Sequence, residues 1–494
     1  MEISRRGLFG LGVVGGVGML AGSAPALSRA RDRPELTHGV QSGDPTGDTA
    51  VIWSRADRPA RLWVRIGARD VRGPVVTPET GFTGKLRLGG LPAGERLHYQ
   101  VRAESLDRPG LFGAPVDGSV RLAHGGDVRF VWTGDVVGQG WGIDPAYGGL
   151  KLFESMRRRR PDFLLHSGDT VYADEPLAPV VTLPGGRVWR NLVTDAKAKV
   201  AETLREHRGQ YAYNLLDDVY RRFVAEVPQI NQWDDHEVAD NWYPGEILDD
   251  DRYAEKRVDV LAARARQAYH EWVPTSSTKV YRKLSYGPLL DLFVLDMRTF
   301  KDANSSNRYA DLRRGLLGAA QRAWLIDGLT RSRATWKVIA NDTPLGLVVP
   351  DEPGAYEGVA QRDHGRPKGR ELEFADVLQR AHRHGVTGIV FLTADVHYAA
   401  AHHYDPARAA IQDFTPFWEF VAGPAHAGAF GPFPLDRTFG PRAVFVHAPP
   451  VPFTSPADGF QHFGEVEIDA ETKAFTVHLR DRDGVSLWST TLRP

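Results

Sequence analysis

Three short segments combine carboxylates with imidazoles in a way that could hold metal ions. They are His166-Ser167-Gly168-Asp169-Thr170-Val171-Tyr172, Trp233-Asp234-Asp235-His236-Glu237 and Thr393-Ala394-Asp395-Val396-His397. A fourth, Gly134-Asp135, follows Phe130-Val131-Trp132. Hard oxygen donors with a few imidazoles suit di- or trivalent cations, and two of them if the segments converge. Two neighbouring metals lower the pKa of a bridging water and so generate a nucleophile at neutral pH. Metal-dependent hydrolysis is therefore the leading chemistry. Each segment alone has a plainer reading: Gly-Asp after a strand is commonly a turn, and Asp-His-Glu a solvated loop. Their joint occurrence argues for a site, because an unpaired carboxylate at a core edge is costly to desolvate.

The residues around these segments would position them. Phe163-Leu164-Leu165 and Ile389-Val390-Phe391-Leu392 lead straight into the first and third. Such runs predict buried strands that deliver the polar residues to one sheet edge, where ligands of open α/β sheets bind. Residues 290–296 and 337–342 read as further apolar strands with polar ends. Helical spacing over 149–160, 217–226, 252–272 and 369–384 separates the strands, which makes a β/α pattern. Residues 37–123 instead alternate in short strands with Gly/Pro turns, the pattern of an accessory all-β sandwich. Residues 176–210 read as an insertion beside the site, and 464–468 and 474–479 as two antiparallel strands. The expected division is a leader over 1–30, a β-sandwich over 31–124 and a catalytic domain over 125–494.

The chain has 494 residues and a formal net charge of -1, which suits more than one globular domain. That balance gives no reason to expect a nucleic-acid-binding module or an anionic membrane as main partner. Arg157 to Arg160 form a local basic run that reads as the last turn of a helix, where cations suit the dipole. Near the N-terminus, Arg5-Arg6 precede a weakly apolar, Gly-rich stretch and Ala24-Pro25-Ala26. Paired arginines in that setting resemble a twin-arginine export signal. Spanning a membrane takes about 20 predominantly apolar residues, and no later segment offers them, so no stable span is expected in the mature chain. The expected location is periplasmic or extracellular, reached through the twin-arginine machinery. With no cysteine, the exported protein stands on its core without disulfides.

Taken together, these segments resemble the PhoD-like alkaline phosphatases and phosphodiesterases, within the calcineurin-like metallophosphoesterases, over nearly the whole chain. Leu295-Asp296-Met297-Arg298 and Ile339-Ala340-Asn341-Asp342-Thr343-Pro344 add support. The resemblance implies a four-layer α/β/β/α sandwich preceded by a small all-β, immunoglobulin- or fibronectin-like domain. It implies Asp169 as the carboxylate bridging two metals, with Asp135, Tyr172 and His397 on the first. Relatives place a cysteine where Asp135 stands, so a hard carboxylate replaces a soft thiolate here. Asp235, Asn341 and Asp395 would hold the second metal, and His236 would face the phosphoryl group. The implied ions are Fe3+ and Ca2+, and Mn2+ or Zn2+ also fit the ligand types. Arg298 is a basic residue at a strand end that could contact substrate, or instead pair with Asp296. The implied activity is hydrolysis of phosphate mono- and diesters by a metal-bridged hydroxide. The same motifs would serve a phospholipase D or a teichoic-acid phosphodiesterase, and a non-catalytic exported metal-binding protein is the alternative of another class.

Overall fold

The structure, a computed structural model, describes residues 33–494. The twin-arginine segment lies outside the described residues. Two large sheets organise the chain. The first has nine strands in the order Ser486–Leu492, Phe475–Asp481, His462–Ile468, Val128–Thr133, Phe163–Ser167, Gln229–Gln232, Leu36–Gly43, Ala50–Ala56 and Thr83–Leu88. The second has seven: Arg282–Tyr286, Leu290–Val294, Trp336–Ala340, Ile389–Thr393, Phe417–Val421, Ala399–Tyr404 and Pro441–His447.

The apolar runs form strands because both faces are covered. Phe163–Ser167 and Trp336–Ala340 are buried at every position, as expected of parallel strands with layers on each side. One core joins the facing sides of the two sheets: Phe130, Trp132 and Leu165 from the first pack with Leu292, Val338 and Val390 from the second. The far side of the first sheet, through Val131 and Leu164, packs on helices carrying Phe153, Phe223 and Leu261. The far side of the second, through Phe293, Ile339 and Phe391, packs on helices carrying Leu325 and Val377.

Local signals explain the helix ends. Thr203 and Glu206 form a reciprocal capping box at the start of Leu204–Asn214, and the Asp217 carboxylate accepts from Tyr220 N–H at 2.9 Å to start Asp218–Glu226. Arg157 and Arg158 do end the helix Leu152–Arg158, where each also pairs with Glu154. The helix Gly318–Arg331 and the strands Arg282–Tyr286, Ala399–Tyr404, Phe417–Val421, Pro441–His447 and Ser486–Leu492 lie outside the segments read from sequence, and the helix Leu204–Asn214 begins inside the segment read as an insertion. Both helices have weak amphipathic patterns, so periodicity alone does not mark them.

The N-terminal region is all-β, but it is not free-standing. Its strands Leu36–Gly43, Ala50–Ala56 and Thr83–Leu88 continue the nine-stranded sheet, with Gly43 paired to Gln229. A separate four-stranded sheet, Arg69–Val76, Ala60–Ile66, Arg96–Ser105 and Val116–Arg121, covers them through Val64, Tyr99 and Val120. Asp44 locks the seam: its carboxylate takes two hydrogen bonds from Arg282, at 3.1 and 2.8 Å, and one from Thr275. The side chains of this pair are 11% and 10% exposed. Removing one member of a buried pair leaves the other uncompensated, at a cost of about 3 kcal/mol or more. Asp44→Ala should therefore lower the urea midpoint of the whole chain in a single transition. Separate melting of the N-terminal region, with the rest unmoved, would contradict a shared sheet.

Candidate metal centre

Strands Val128–Thr133, Phe163–Ser167 and Gln229–Gln232 are parallel neighbours, so Asp135, Asp169 and Asp234-Asp235-His236 leave the same sheet edge. Trp336–Ala340 and Ile389–Thr393 are parallel in the facing sheet and release Asn341, Asp395 and His397. Hydrogen bonds tie the two edges together. Gln232 Nε2 donates across to the carbonyls of Leu295 (3.0 Å) and Ala340 (3.1 Å), and Trp132 Nε1 donates to that of Thr393 (3.2 Å).

The turns after the strands are unusual. Asp135, Asp169, Asp395 and His397 have φ of 64°, 49°, 63° and 58°, a left-handed conformation that non-glycine residues visit rarely. Such conformations cost about 1–3 kcal/mol each and persist where the surroundings over-determine them. Val136 N–H donates to the Asp169 carbonyl (2.9 Å) and His426 N–H to that of Asp135 (2.9 Å), fixing neighbouring turns against each other. Gly138 and Gly423 leave room: a Cβ on the first would overlap the Tyr172 ring, and on the second the Asp135 carboxylate.

The side chains converge in three groups, each with ligand atoms within 4.8 Å of one another: Asp135, Asp169 and His397; Asp169, Asp235 and His236; and Asp234, Asp235 and Asp395. Tyr172 joins the first, its hydroxyl 2.9 Å from His397 Nε2, which lies 3.7 Å from Asp135 Oδ1. The carbonyl of Gly428 can only accept, so its 2.5 Å contact puts the His397 proton on Nδ1 and leaves the Nε2 lone pair facing the group. Every predicted ligand is thus in or beside the cluster, except that Asn341 is placed only by its strand end and its burial. Asp234 was not among the predicted ligands, although it stands in the same sequence segment.

The donors fit cations. Both oxygens of Asp135, Oδ2 of Asp234, Oδ1 of Asp235, Oδ2 of Asp395 and both polar atoms of Asn341 are buried without a hydrogen-bond partner. Burial above all drives the carboxyls of Asp135, Asp169, Asp234 and Asp395 well above the usual carboxylate range. Burial also raises the Tyr172 phenol, with Asp169 and Asp135 adding to it, and pushes the His397 imidazole down to about 3. Buried carboxylates at this density are stable as anions only opposite positive charge.

Part of that charge comes from Arg298, and here the sequence-based expectation needs correcting. Arg298 is 1% exposed and is enclosed by Asp234, Asp235, Asp342, Glu357 and Asp395, so it does not open on a substrate. Nor is Asp296 its charge partner: that carboxylate accepts from the Arg298 backbone N–H at 3.4 Å and from Trp233 Nε1 at 2.9 Å. Burial pushes the Asp235 carboxyl up, but Arg298 and then His236 outweigh it and hold Asp235 below its ordinary value.

His236 stands between the groups. Its Nδ1 contacts both carboxylate oxygens of Asp174 at 2.9 Å, its ring stacks on Tyr172 at 4.2 Å, and its backbone N–H donates to Asp169 at 3.2 Å. Nε2 points the other way, toward the exposed Asp240 3.7 Å away. Asp174 had no signal in the sequence beyond its place two residues after Tyr172. Glu237 pins the turns, accepting from Thr170 and Asp234 N–H, each at 2.7 Å.

A family model described as PhoD-like phosphatase matches residues 130–479, and one described as PhoD-like phosphatase, N-terminal domain matches residues 22–114. The chain belongs to the PhoD-like phosphatase family. Alkaline phosphatase D of Bacillus subtilis (strain 168) is 26% identical over 345 residues, which are 62% of this chain and 55% of that protein. The match therefore spans little more than half of that relative. The fold of this PhoD-like chain is similar to that in "Structure of PhoD", at a TM-score of 0.68 and 18% identity over 93% of this chain and 89% of the other. It is also similar to purple acid phosphatase PPD1 from yellow lupin (Lupinus luteus) seeds, at 0.56 and 14% over 94% and 75%.

Arg298 generates a prediction. Arg298→Gln leaves several buried carboxylates without their cation and should cost about 3–5 kcal/mol in urea denaturation. A variant of normal stability with only a raised KM would return Arg298 to a role at the substrate.

Proposed function

We propose that the chain is a two-metal phosphoric ester hydrolase. The observation that carries this reading is Asp169, which belongs to two of the three ligand groups and so can bridge two ions. Asp135, Tyr172 and His397 would complete one ion's ligands, and Asp235, Asp395, Asn341 and Asp234 the other's. Bound metals would supply a nucleophile at neutral pH and Lewis acidity at the phosphate. Oxygen donors with a phenol and one imidazole support Fe3+ in the first position, and an all-oxygen set supports Ca2+ in the second. Mn2+ and Zn2+ remain compatible with the donors.

The chain's own residues do the positioning. Asp174 holds His236 by Nδ1, so Nε2 is the end that meets the substrate. From there it stabilises charge on a phosphoryl oxygen or passes a proton to the leaving alkoxide. The phenol of Tyr172 supports the imidazole from below by stacking.

Three finer readings go with this one. The core clusters on both sides of each sheet support a four-layer α/β/β/α catalytic domain over 125–494. The N-terminal family match over residues 22–114 supports an N-terminal domain, read here as 31–124, and overlaps the end of the leader read as 1–30. Arg5-Arg6 supports export through the twin-arginine machinery to the periplasm or medium. Among the described residues no helix is long and apolar enough to cross a membrane.

Metal content measured beside turnover tests the roles. Asp169→Asn should lose both ions, and Asp235→Asn chiefly the second. His236→Ala should keep both ions while kcat drops about 10²- to 10⁴-fold, and Asp174→Asn should follow with a drop of about 10- to 100-fold. Metal lost in proportion to activity in His236→Ala would make it a supporting residue. Ferric tyrosinate absorbs visible light, so active protein that is colourless and iron-free would remove iron from the first site. Activity surviving exhaustive chelation would overturn the metal reading.

With Arg298 buried, the site need not demand a dianion, and diesters should be accepted at least as well as monoesters. The comparison is kcat/KM for a nitrophenyl monoester against its bis-ester. A monoester preference above about a hundredfold, roughly 2.7 kcal/mol of discrimination, would make it a strict monoesterase. Export is tested by changing Arg5 and Arg6 to Lys: precursor should accumulate inside the cell, and unchanged export would indicate another route.

A further inference from the structure

The segment Gly428-Ala429-Phe430 holds His397 on one side and a loop on the other. The Gly428 carbonyl accepts from His397 Nδ1, and Phe430 N–H donates to the His397 carbonyl at 3.3 Å. Between them, Ala429 exchanges two backbone hydrogen bonds with Thr454, each 2.9 Å. The rings continue the connection: Phe430 stacks on the His397 imidazole at 4.4 Å and 20°, and Phe453 packs on Phe430 at 5.6 Å. Phe453 is thus two ring contacts from a candidate metal ligand.

Phe453 is 65% exposed and Val451 62%, on the loop Pro449-Pro450-Val451-Pro452-Phe453. Folding gains little from apolar side chains left in water. Phe453 also has φ 59°, a conformation that bulky residues avoid. The loop is held in place: Thr454 Oγ1 donates to the Val451 carbonyl at 2.6 Å, and Ser455 and Pro456 behind it are buried. A left-handed conformation at an exposed, anchored phenylalanine persists because its surroundings over-determine it, and such strain clusters at ligand sites. Near His236 the surface is polar instead, with the Asp240 side chain 70% exposed.

We propose that Phe430, Phe453 and Val451 form an apolar subsite for the organic group of the phosphate ester, so that the substrate class is esters of alkyl or aryl alcohols. This rests on the proposed hydrolysis at the adjoining centre. A phosphate held beside His397 directs one substituent along the ring ladder, where each methylene leaving water contributes up to about fourfold in binding.

The test uses the metal-loaded full chain and nitrophenyl phosphodiesters whose second alcohol grows from methyl to octyl, below micelle formation. In the unmodified protein, kcat/KM should rise at least about tenfold along the series, mainly through KM. Phe453→Ser and Val451→Ser, both at exposed positions, should flatten the octyl-to-methyl ratio, and Phe453→Leu should keep most of it. A flat series in the unmodified protein, or an unchanged ratio in Phe453→Ser, would overturn the subsite while leaving hydrolysis intact. If no ester is hydrolysed, the hydrolase reading fails, and the subsite is then decided by calorimetry. Octylphosphonate should still bind about tenfold tighter than methylphosphonate, and equal affinity overturns the proposal.

Discussion

Five aspartates are crowded where the edges of two sheets meet: Asp135, Asp169, Asp234 and Asp235 are buried, and the Asp395 side chain is 13% exposed. Burying one carboxylate is costly, and burying several together is costlier unless positive charge balances them. The structure brings that charge from two directions. From behind, Arg298 reaches into the cluster through a buried guanidinium, and Lys301 relieves it by pairing with Glu357 at 3.1 Å. From the front, oxygens without hydrogen-bond partners leave the remaining balance to cations.

The same requirement accounts for the backbone around the site. Ligands that simply continued their strands would diverge along two separate edges. Left-handed turns immediately after the strands instead fold Asp135, Asp169, Asp395 and His397 back toward a common point. Those turns are strained, and the cross-sheet hydrogen bonds of Gln232 and Trp132 keep the two edges from parting. The N-terminal strands add to this rigidity by extending the sheet next to Gln229–Gln232. A site assembled this firmly needs little reorganisation as charge develops on a reacting phosphate.

The surroundings of the cluster are asymmetric. Toward His236 they are polar, with Asp174 beneath the imidazole and Asp240 beyond it. Toward His397 they are aromatic, with Phe430 and Phe453 in sequence. In the proposed reading the first side would handle protons and the second would meet a carbon skeleton. Both are attached to the cluster by direct contacts, so geometry there is transmitted to the ligands.

Local pattern was enough to read the strands that end in Asp and His, because a run apolar on both faces can only be buried, and a carboxylate at its end can only sit at an edge. It also determined the all-β character of the N-terminal region and the helix end at Arg157-Arg158, since alternation and dipole complementarity are local properties. The role of Arg298 emerges from the folded arrangement alone. A basic residue two positions after Asp296 reads as a substrate contact or as a partner of Asp296 until five carboxylates from distant segments are seen around it. Asp174 and Phe453 were hidden for the same reason: a carboxylate in a polar loop and a phenylalanine among prolines carry no periodic signal. Their meaning comes from contacts with His236 and Phe430, which are 62 and 23 residues away along the chain. The joining of the N-terminal strands to the catalytic sheet was likewise invisible, because strand pairing between distant segments is decided by which edges the folded chain leaves open.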